Sequence, residues 1–136
     1  MFSWFRKTLN RKEKGFTLIE LVVVLAILGI LIALAVPRYL TARKKAYKAE
    51  ADNLLQEAKS LEWSYYQQYN LFDTSATGAN IGIVEPTGMH WNAPAFSGVA
   101  SNVTILMSGL VAPLTGTDSV WITLSGDGSS TGGATF

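Results

Sequence analysis

The stretch that decides the fold of this chain reads GFTLIELVVVLAILGILIALAV, from Gly15 to Val36. About 20 apolar residues, each rising ~1.5 Å in a helix, are enough to cross the ~30 Å hydrocarbon core of a bilayer. The run contains one charged residue, Glu20. An ionised carboxylate inside a membrane helix is unfavourable, by roughly 3 kcal/mol near the bilayer centre, so we expect Glu20 to have a partner.

The residues before this run are basic. Arg and Lys occupy five of the first 15 positions, against the single acid Glu13. Positive charge next to a membrane span favours the cytoplasmic side. We therefore expect the N-terminus to remain in the cytoplasm and the chain beyond Pro37 to lie outside the membrane.

The segment Lys14–Glu20, continued by apolar residues to Leu31, resembles the N-terminus of the type IV pilin family, which includes the pseudopilins of type II secretion. The resemblance covers the first quarter to third of the chain. It implies a leader, residues 1–15, which a membrane prepilin peptidase cuts between Gly15 and Phe16, and methylation of the new amine on Phe16. It also implies that an inner-membrane assembly platform extracts the helix from the membrane into a filament of identical subunits.

The same resemblance implies a role for Glu20. In the family, the matching glutamate meets the terminal amine of a neighbouring subunit and sets the axial register of the filament. A buried amine on Phe16 is costly unless it is paired, which gives this contact a physical reason. The alternative is that Glu20 lies hydrated among the lipid headgroups without a partner.

A helical pattern continues beyond the apolar run. Apolar residues recur at steps of three and four and predict one apolar face: Tyr47, Ala51, Leu54, Leu55, Ala58, Leu61, Tyr65, Tyr69 and Phe72. We predict one helix from about Phe16 to about Tyr69. An assembly segment, residues 16–37, is followed by an amphipathic outer segment, residues 38–72.

Two residues are weak points in this helix, Gly29 and Pro37. Proline removes a helix hydrogen bond and is expected to kink the helix. The family resemblance suggests instead that residues 29–37 lose helicity in the filament. Both alternatives remain open from the sequence.

The five aromatic residues near the end of the predicted helix are Trp63, Tyr65, Tyr66, Tyr69 and Phe72. Aromatic side chains bury a large area where a sheet packs on a helix, so we interpret this cluster as core, in preference to a ligand-stacking or electron-transfer site. Trp63 and Tyr66 lie toward another side of the helix and are expected to be available to a neighbouring subunit.

Residues 73–136 have the pattern of a β-rich globular head. Turn residues separate four candidate strands: Ile81–Val84, Met89–Trp91, Asn102–Met107 and Ser119–Leu124. Alternation of Val120, Ile122 and Leu124 with other residues predicts that one face of the last strand packs on the helix. The fold class is therefore α+β, a long N-terminal helix packed against a small antiparallel sheet. The glycine- and serine-rich tail at 126–133 is expected to loop or fray.

The charge distribution argues against nucleic-acid binding by the head. Without residues 1–15 the chain has six basic and nine acidic residues, and no Lys or Arg follows Lys59. Phosphate contacts need clustered Lys and Arg. We expect no direct nucleic-acid binding from the head.

No catalytic or metal constellation stands out. The chain has no cysteine and one histidine, His90, without a nucleophile motif around any serine. Asp127, Gly128 and Ser129 bear a faint similarity to a calcium loop but lack its regular acidic spacing and terminal glutamate. We predict no catalytic residue, no metal and no cofactor. A disulfide is excluded, so packing must hold the head.

These observations favour a non-enzymatic structural subunit of an extracellular type IV pilus that supports adhesion, motility or DNA uptake. The alternative is a pseudopilin of a type II secretion or competence system. A membrane-anchored enzyme or sensor is disfavoured because no polar constellation supports it. The predicted location is the inner membrane before assembly, as a single-pass precursor, and the extracellular filament afterwards.

Overall fold

The computed structural model describes residues 15–136. The predicted leader therefore lies outside the described residues except for Gly15. The described chain falls into two units, the first ending at Arg38 and the second running from Tyr39 to Phe136. Every strand belongs to the second unit.

One long helix, α1, spans Leu18–Tyr69 and confirms the predicted helix to within two residues at its start. The residue that follows the helix, Asn70, has a φ of 57°, which lies in the left-handed region. The N–H of Asn70 donates to the carbonyl of Tyr66 at 2.7 Å. Asparagine tolerates this conformation and closes the last turn of a helix.

The two predicted weak points lie inside α1. Both Gly29 and Pro37 are helical in the single chain. The predicted loss of helicity at 29–37 concerns the filament, and it stays a prediction, as does the kink at Pro37.

Four strands form the rest of the fold: β1 (Ala95–Val99), β2 (Asn102–Ser108), β3 (Ser119–Ser125) and β4 (Ser130–Ala134). Each strand pairs antiparallel with the next one along the chain, in the order β1-β2-β3-β4. The predicted α+β class is confirmed.

Two of the four predicted strands are confirmed, as β2 and β3. The other two are wrong. Residues 81–84 have turn and irregular structure, and Gly82 has a φ of 67° that interrupts an extended run. Of the residues predicted at 89–91, only Trp91 pairs, in an isolated bridge with Gly109.

The expectation that 126–133 loops or frays is also wrong. Its first part is the turn of a β-hairpin and its second part belongs to β4. One oxygen of Asp127 accepts bonds from the N–H (2.9 Å) and the hydroxyl (2.7 Å) of Ser129. Gly128, with a φ of 93°, supplies the conformation that this turn needs.

The core of the second unit lies between α1 and one face of the sheet. As predicted, Val120, Ile122 and Leu124 of β3 are buried on this face. The buried apolar residues are Ala51, Leu54, Leu55, Ala58, Phe72, Trp91, Phe96, Val103, Ile105, Met107, Leu114, Val120, Ile122 and Leu124.

The buried face of α1 differs from the predicted one beyond Ala58. The next buried position is Glu62, which is 0% exposed, whereas Tyr69 is 53% exposed. The buried face of α1 therefore continues from Ala58 to the carboxylate of Glu62, and not to the predicted Tyr65 and Tyr69. A pattern built on apolar residues alone passes over such a position.

Trp63 and Tyr66 are half-buried, and their contact with a neighbouring subunit stays a prediction. Both pack against the core, and their rings lie 5.4 and 4.5 Å from the ring of Phe72. Phe72 folds back after the end of α1 and is fully buried. The core interpretation of the aromatic cluster therefore holds for these three residues.

Candidate functional site

The N-terminal end of α1 carries a reciprocal cap between Thr17 and Glu20. One carboxylate oxygen of Glu20, Oε2, accepts bonds from the backbone N–H of Thr17 at 2.8 Å and from its hydroxyl at 2.7 Å. The N–H of Glu20 donates in return to the Thr17 hydroxyl at 3.3 Å. This is a capping box, which satisfies backbone N–H groups that have no partner inside the helix.

The sequence contains the signal for this cap, whereas the partners expected for Glu20 were a neighbouring subunit or none. Thr-x-x-Glu before an apolar run is the capping-box pattern, and Thr17 to Glu20 has that spacing. The structure gives Glu20 a partner in its own chain. Among residues 15–136 no hydrogen bond engages its second oxygen, Oε1. A carboxylate accepts several bonds, so the cap leaves room for a further donor.

Gly15 and Phe16, the predicted cleavage pair, precede α1. Both are exposed, and the Phe16 side chain is 82% exposed. The peptide bond between them lies outside the helix and is accessible, and cleavage and methylation at these residues remain predictions.

The apolar residues of the first unit have no partners within the chain. Every residue from 16 to 38 is exposed. By length and composition, α1 is the one helix among residues 15–136 that is apolar enough to cross a membrane. A surface of this size and apolarity needs lipid or other helices around it.

The sequence of this region matches a known family. The profile described as "Prokaryotic N-terminal methylation motif" matches residues 10–36. The chain is 40% identical over 73 residues to the type IV major pilin protein PilE of Neisseria gonorrhoeae. It is 34% identical over 97 residues to the fimbrial protein EcpC of Eikenella corrodens.

The N-terminal part of the chain is similar to the N-terminal part of type IV pilins.

The similarity to these pilins is partial. The aligned part covers 54% of this chain and 44% of PilE, and 71% of this chain and 63% of EcpC. The major pilin PilA of Myxococcus xanthus is 33% identical over 49% of this chain and 30% of its own length. The chain thus spans less than half the length of the gonococcal pilin that it matches. No solved structure matches it at a significant level.

In the second unit, Lys44 and Asp118 join α1 to the loop before β3. The Lys44 ammonium lies 2.8 Å from Asp118, whose side chain is nearly buried. The N–H of Thr115 donates to the same carboxylate at 2.7 Å. The bond from Lys44, with help from Thr115 and against the effect of burial, lowers the pKa of Asp118.

The only histidine of the sequence, His90, makes a second contact between α1 and the loops. Its Nδ1 lies 2.9 Å from the carboxylate of Glu50, and its ring stacks on Tyr47 at 3.7 Å. The indole N–H of Trp91 donates to the carbonyl of Tyr47 at 2.7 Å. These contacts hold the segment around His90 on the helix, which is a structural use of the residue.

A third contact between α1 and the loops involves Glu62. Its Oε2 accepts the N–H of Asp73 at 3.1 Å, and its Oε1 is buried without a partner in the described chain. Burial raises the pKa of Glu62 to about 7, although the N–H of Asp73 acts in the opposite direction.

Asp73 itself organises the loop that follows. Its two oxygens accept bonds from the N–H and hydroxyl of Ser75 and from the N–H and side-chain amide of Asn80. Burial opposes ionisation, but these four bonds together lower the pKa of Asp73.

A metal site is not assembled by these carboxylates. Residues 15–136 contain no group of three or more His, Asp or Glu side chains placed to hold an ion. Asp127, singled out above, is engaged with Ser129 in the β3–β4 turn.

Proposed function

We propose that this chain is a structural subunit of an extracellular type IV pilus, polymerised through residues 16–36. The observation that carries the proposal is the combination of a fully exposed apolar helix with a single carboxylate in its first turn. Such a helix is stable in lipid and equally suited to the interior of a bundle of identical helices.

The proposed processing starts in the leader. A prepilin peptidase cuts between Gly15 and Phe16, and the new amine on Phe16 is methylated. Cleavage leaves a positive amine one residue before the Thr17 cap. Because that amine becomes buried during assembly, it requires a negative partner.

Glu20 is the proposed partner in the next subunit. The capping box occupies its Oε2, and its Oε1 remains open to a donor. The two roles are therefore compatible: one oxygen holds the first turn of α1 while the other receives the amine of a neighbour. Helices moving from lipid into a bundle gain little from the hydrophobic effect, so a directional ion pair is well placed to set register.

The proposed location follows from the same segment. Before assembly the chain crosses the inner membrane once, with the basic N-terminus in the cytoplasm. An assembly platform then moves it into the filament outside the cell. We assign no enzymatic activity, no cofactor and no direct nucleic-acid binding to the second unit.

The pilus is favoured over a secretion or competence pseudopilus by the relatives. The matched proteins of N. gonorrhoeae and M. xanthus carry the name type IV major pilin. Their names support, for this chain, the role of an abundant filament subunit.

The experiment expresses wild-type chain and Glu20→Ala in the native host and shears filaments from the cells. We expect wild-type protein in the sheared fraction with Phe16 as its first residue by mass spectrometry. Glu20→Ala should reach the membrane in equal amount but yield few filaments or filaments of irregular register. Glu57→Ala, at an exposed glutamate of α1, is the matched control and should assemble normally.

Two results would contradict this proposal. A mature N-terminus at another residue would remove the processing step. Ordinary filaments built from Glu20→Ala would remove the ion pair.

A further inference from the structure

The two outer edges of the sheet differ. The edge strand β1 is covered by the preceding loop, since the N–H of Phe96 donates to the carbonyl of Ala76 at 3.0 Å. On β4 the pairing to β3 is bracketed by two bonds, from Ser125 to Ser129 and from Thr135 to Ser119, both at 3.0 Å. In an antiparallel pair, bonded and non-bonded positions alternate, so these two bonds fix the phase of the whole strand.

This phase directs the backbone groups of Ser130, Gly132 and Ala134 away from β3. Among residues 15–136, none of these three residues makes a backbone hydrogen bond beyond the β3–β4 pairing. The strand also contains no charge and no proline, the usual protections of an edge. β4 is thus an open template for another strand.

A groove of about 380 Å³ runs beside this edge, between β4 and α1. Gly132 and Gly133 have no side chains, so Trp121 and Ile122 of β3 contribute to the groove wall. A Cβ on Gly133 would lie 3.2 Å from the Trp121 ring, which shows that the indole lies directly over this glycine. The groove therefore places the side chains of Trp121 and Ile122, together with Lys48, Asp52, Gln56 and Lys59 of α1, next to unpaired backbone.

Lys59 supplies a positive charge at the start of β4. Its ammonium donates to the hydroxyl of Ser130 at 2.9 Å. Among the described residues it has no carboxylate partner. It is also the last basic residue of the chain.

Residues 83–85 have the complementary properties. Val84 is 75% exposed, and Glu85 is exposed without a cationic partner in the part of the chain that the structure describes. No backbone N–H of these three residues donates a hydrogen bond within 15–136. Ile and Val favour strands, and the proline after Glu85 favours an extended backbone at that residue. The segment has strand chemistry but no strand to pair with in its own chain.

We propose that residues 83–85 of a second copy of this chain add to the open edge of β4 as an antiparallel strand, with Glu85 opposite Ser130. This inference rests on the proposed function, because the filament is what brings two copies together.

The pleat of the sheet agrees with this register. Side chains directly opposite each other lie on the same face. Ser130 pairs with the buried Leu124, so Glu85 opposite Ser130 lies on the helix side, where Lys59 reaches. Val84 then lies on the other face, opposite Thr131.

That other face is the one that carries Trp121. Thr131 pairs with Thr123 of β3, two residues along from Trp121, so both project from the same side of the sheet. Val84 thus meets apolar surface. Ile83, whose side chain packs partly against the core of its own chain, lies opposite Gly132, which has no side chain. Backbone, charge and apolar contact all favour the same register.

A charge exchange tests the pairing. We expect Lys59→Glu and Glu85→Lys each to reduce the sheared filament yield by at least about tenfold, because like charges then face each other across the interface. The double variant, which restores an opposite pair, should recover most of the yield. Glu57→Lys changes the net charge as Glu85→Lys does and should leave the yield unchanged.

The amount of each variant in the membrane separates misfolding from failed pairing, and rescue by the second charge change cannot arise from misfolding. The proposed pairing is wrong if either single variant assembles like wild type. It is also wrong if the double variant remains as defective as the single ones. Absence of wild-type filaments would instead refute the proposed function.

Hydrogen exchange tests the backbone pairing independently of side chains. Amide N–H groups of Ser130 and Gly132 should exchange at least about tenfold more slowly in filaments than in the full chain in detergent micelles. Thr131 bonds to β3 in both states and should be protected in both. Equal exchange of Ser130 and Gly132 in filaments and micelles would exclude strand addition at this edge.

Discussion

Glu62 gives the sharpest prediction about stability, because a fully buried carboxyl with an unpartnered oxygen responds to pH in a defined way. Its pKa in the folded chain is about 7, against an ordinary value of 4.5. Between these values the folded chain binds more protons than the unfolded chain. The free energy of unfolding must therefore fall as pH rises from 4.5 to 7, and the contribution of Glu62 is constant above and below this window.

The size of the effect follows from the same two values. At ~1.4 kcal/mol for each pH unit, the difference between 4.5 and about 7 amounts to about 3 kcal/mol lost across the window. This is a large share of the stability of a small domain.

The substitution Glu62→Gln removes the titration and keeps an acceptor for the N–H of Asp73. Its amide NH₂ replaces the unpartnered Oε1 and is itself unsatisfied, which destabilises the variant by about 1–3 kcal/mol at every pH. We therefore expect Glu62→Gln to be less stable than wild type below pH 4.5. Above pH 7 it should be equally stable or more stable.

The assay is urea unfolding of the full chain in detergent micelles at several pH values, with Glu57→Gln as the control at an exposed glutamate. Other groups titrate in the same range, but they contribute equally to wild type and variant and cancel in the difference. If the difference between wild type and Glu62→Gln is the same at pH 4.5 and pH 7.5, Glu62 is not buried in the manner described.

Two further predictions concern the contact between α1 and the loop before β3, and the first turn of α1. Asp118→Asn should lower the free energy of unfolding by about 1–3 kcal/mol at neutral pH, because a charged hydrogen bond to Lys44 is lost. The lowered pKa of Asp118 requires that this difference shrink as pH falls below 3.8, and a difference that persists in acid would argue against the ion pair. Thr17→Val should destabilise the first turn of α1 by about 1 kcal/mol, seen as faster amide exchange at residues 18–20 in micelles. Unchanged exchange there would mean that the Thr17 hydroxyl does not hold the cap.

The sequence was sufficient to predict those helices and strands whose pattern of apolar residues fits only one kind of structure. The apolar run from Phe16 to Val36, with Glu20 as its one charge, predicts a membrane-type helix, and the alternation in β3 leaves one face for the core. β1 and β4 were missed because their side chains are small and mixed. Their strand character comes from pairing with β2 and β3, which local sequence does not show.

In the candidate site, too, some features could be predicted from the sequence and others could not. The spacing of Thr17 and Glu20 was sufficient to predict the cap. Glu62 was not predictable, because its burial depends on Asp73 folding back beneath it, which is a contact 11 residues apart. A charged residue on a helix is normally read as exposed, and only the tertiary structure reverses that reading.

The order of the strands has a consequence for how the second unit acquires its structure. Each strand pairs only with strands adjacent to it along the chain. Sheets with such neighbouring connections close short loops one after another and fold faster than sheets that wait for distant partners. In the membrane precursor proposed above, anchored by its N-terminal helix, export would deliver β1, β2, β3 and β4 in that sequence. Folding can thus keep pace with export, so that little unpaired strand is left waiting at the membrane surface.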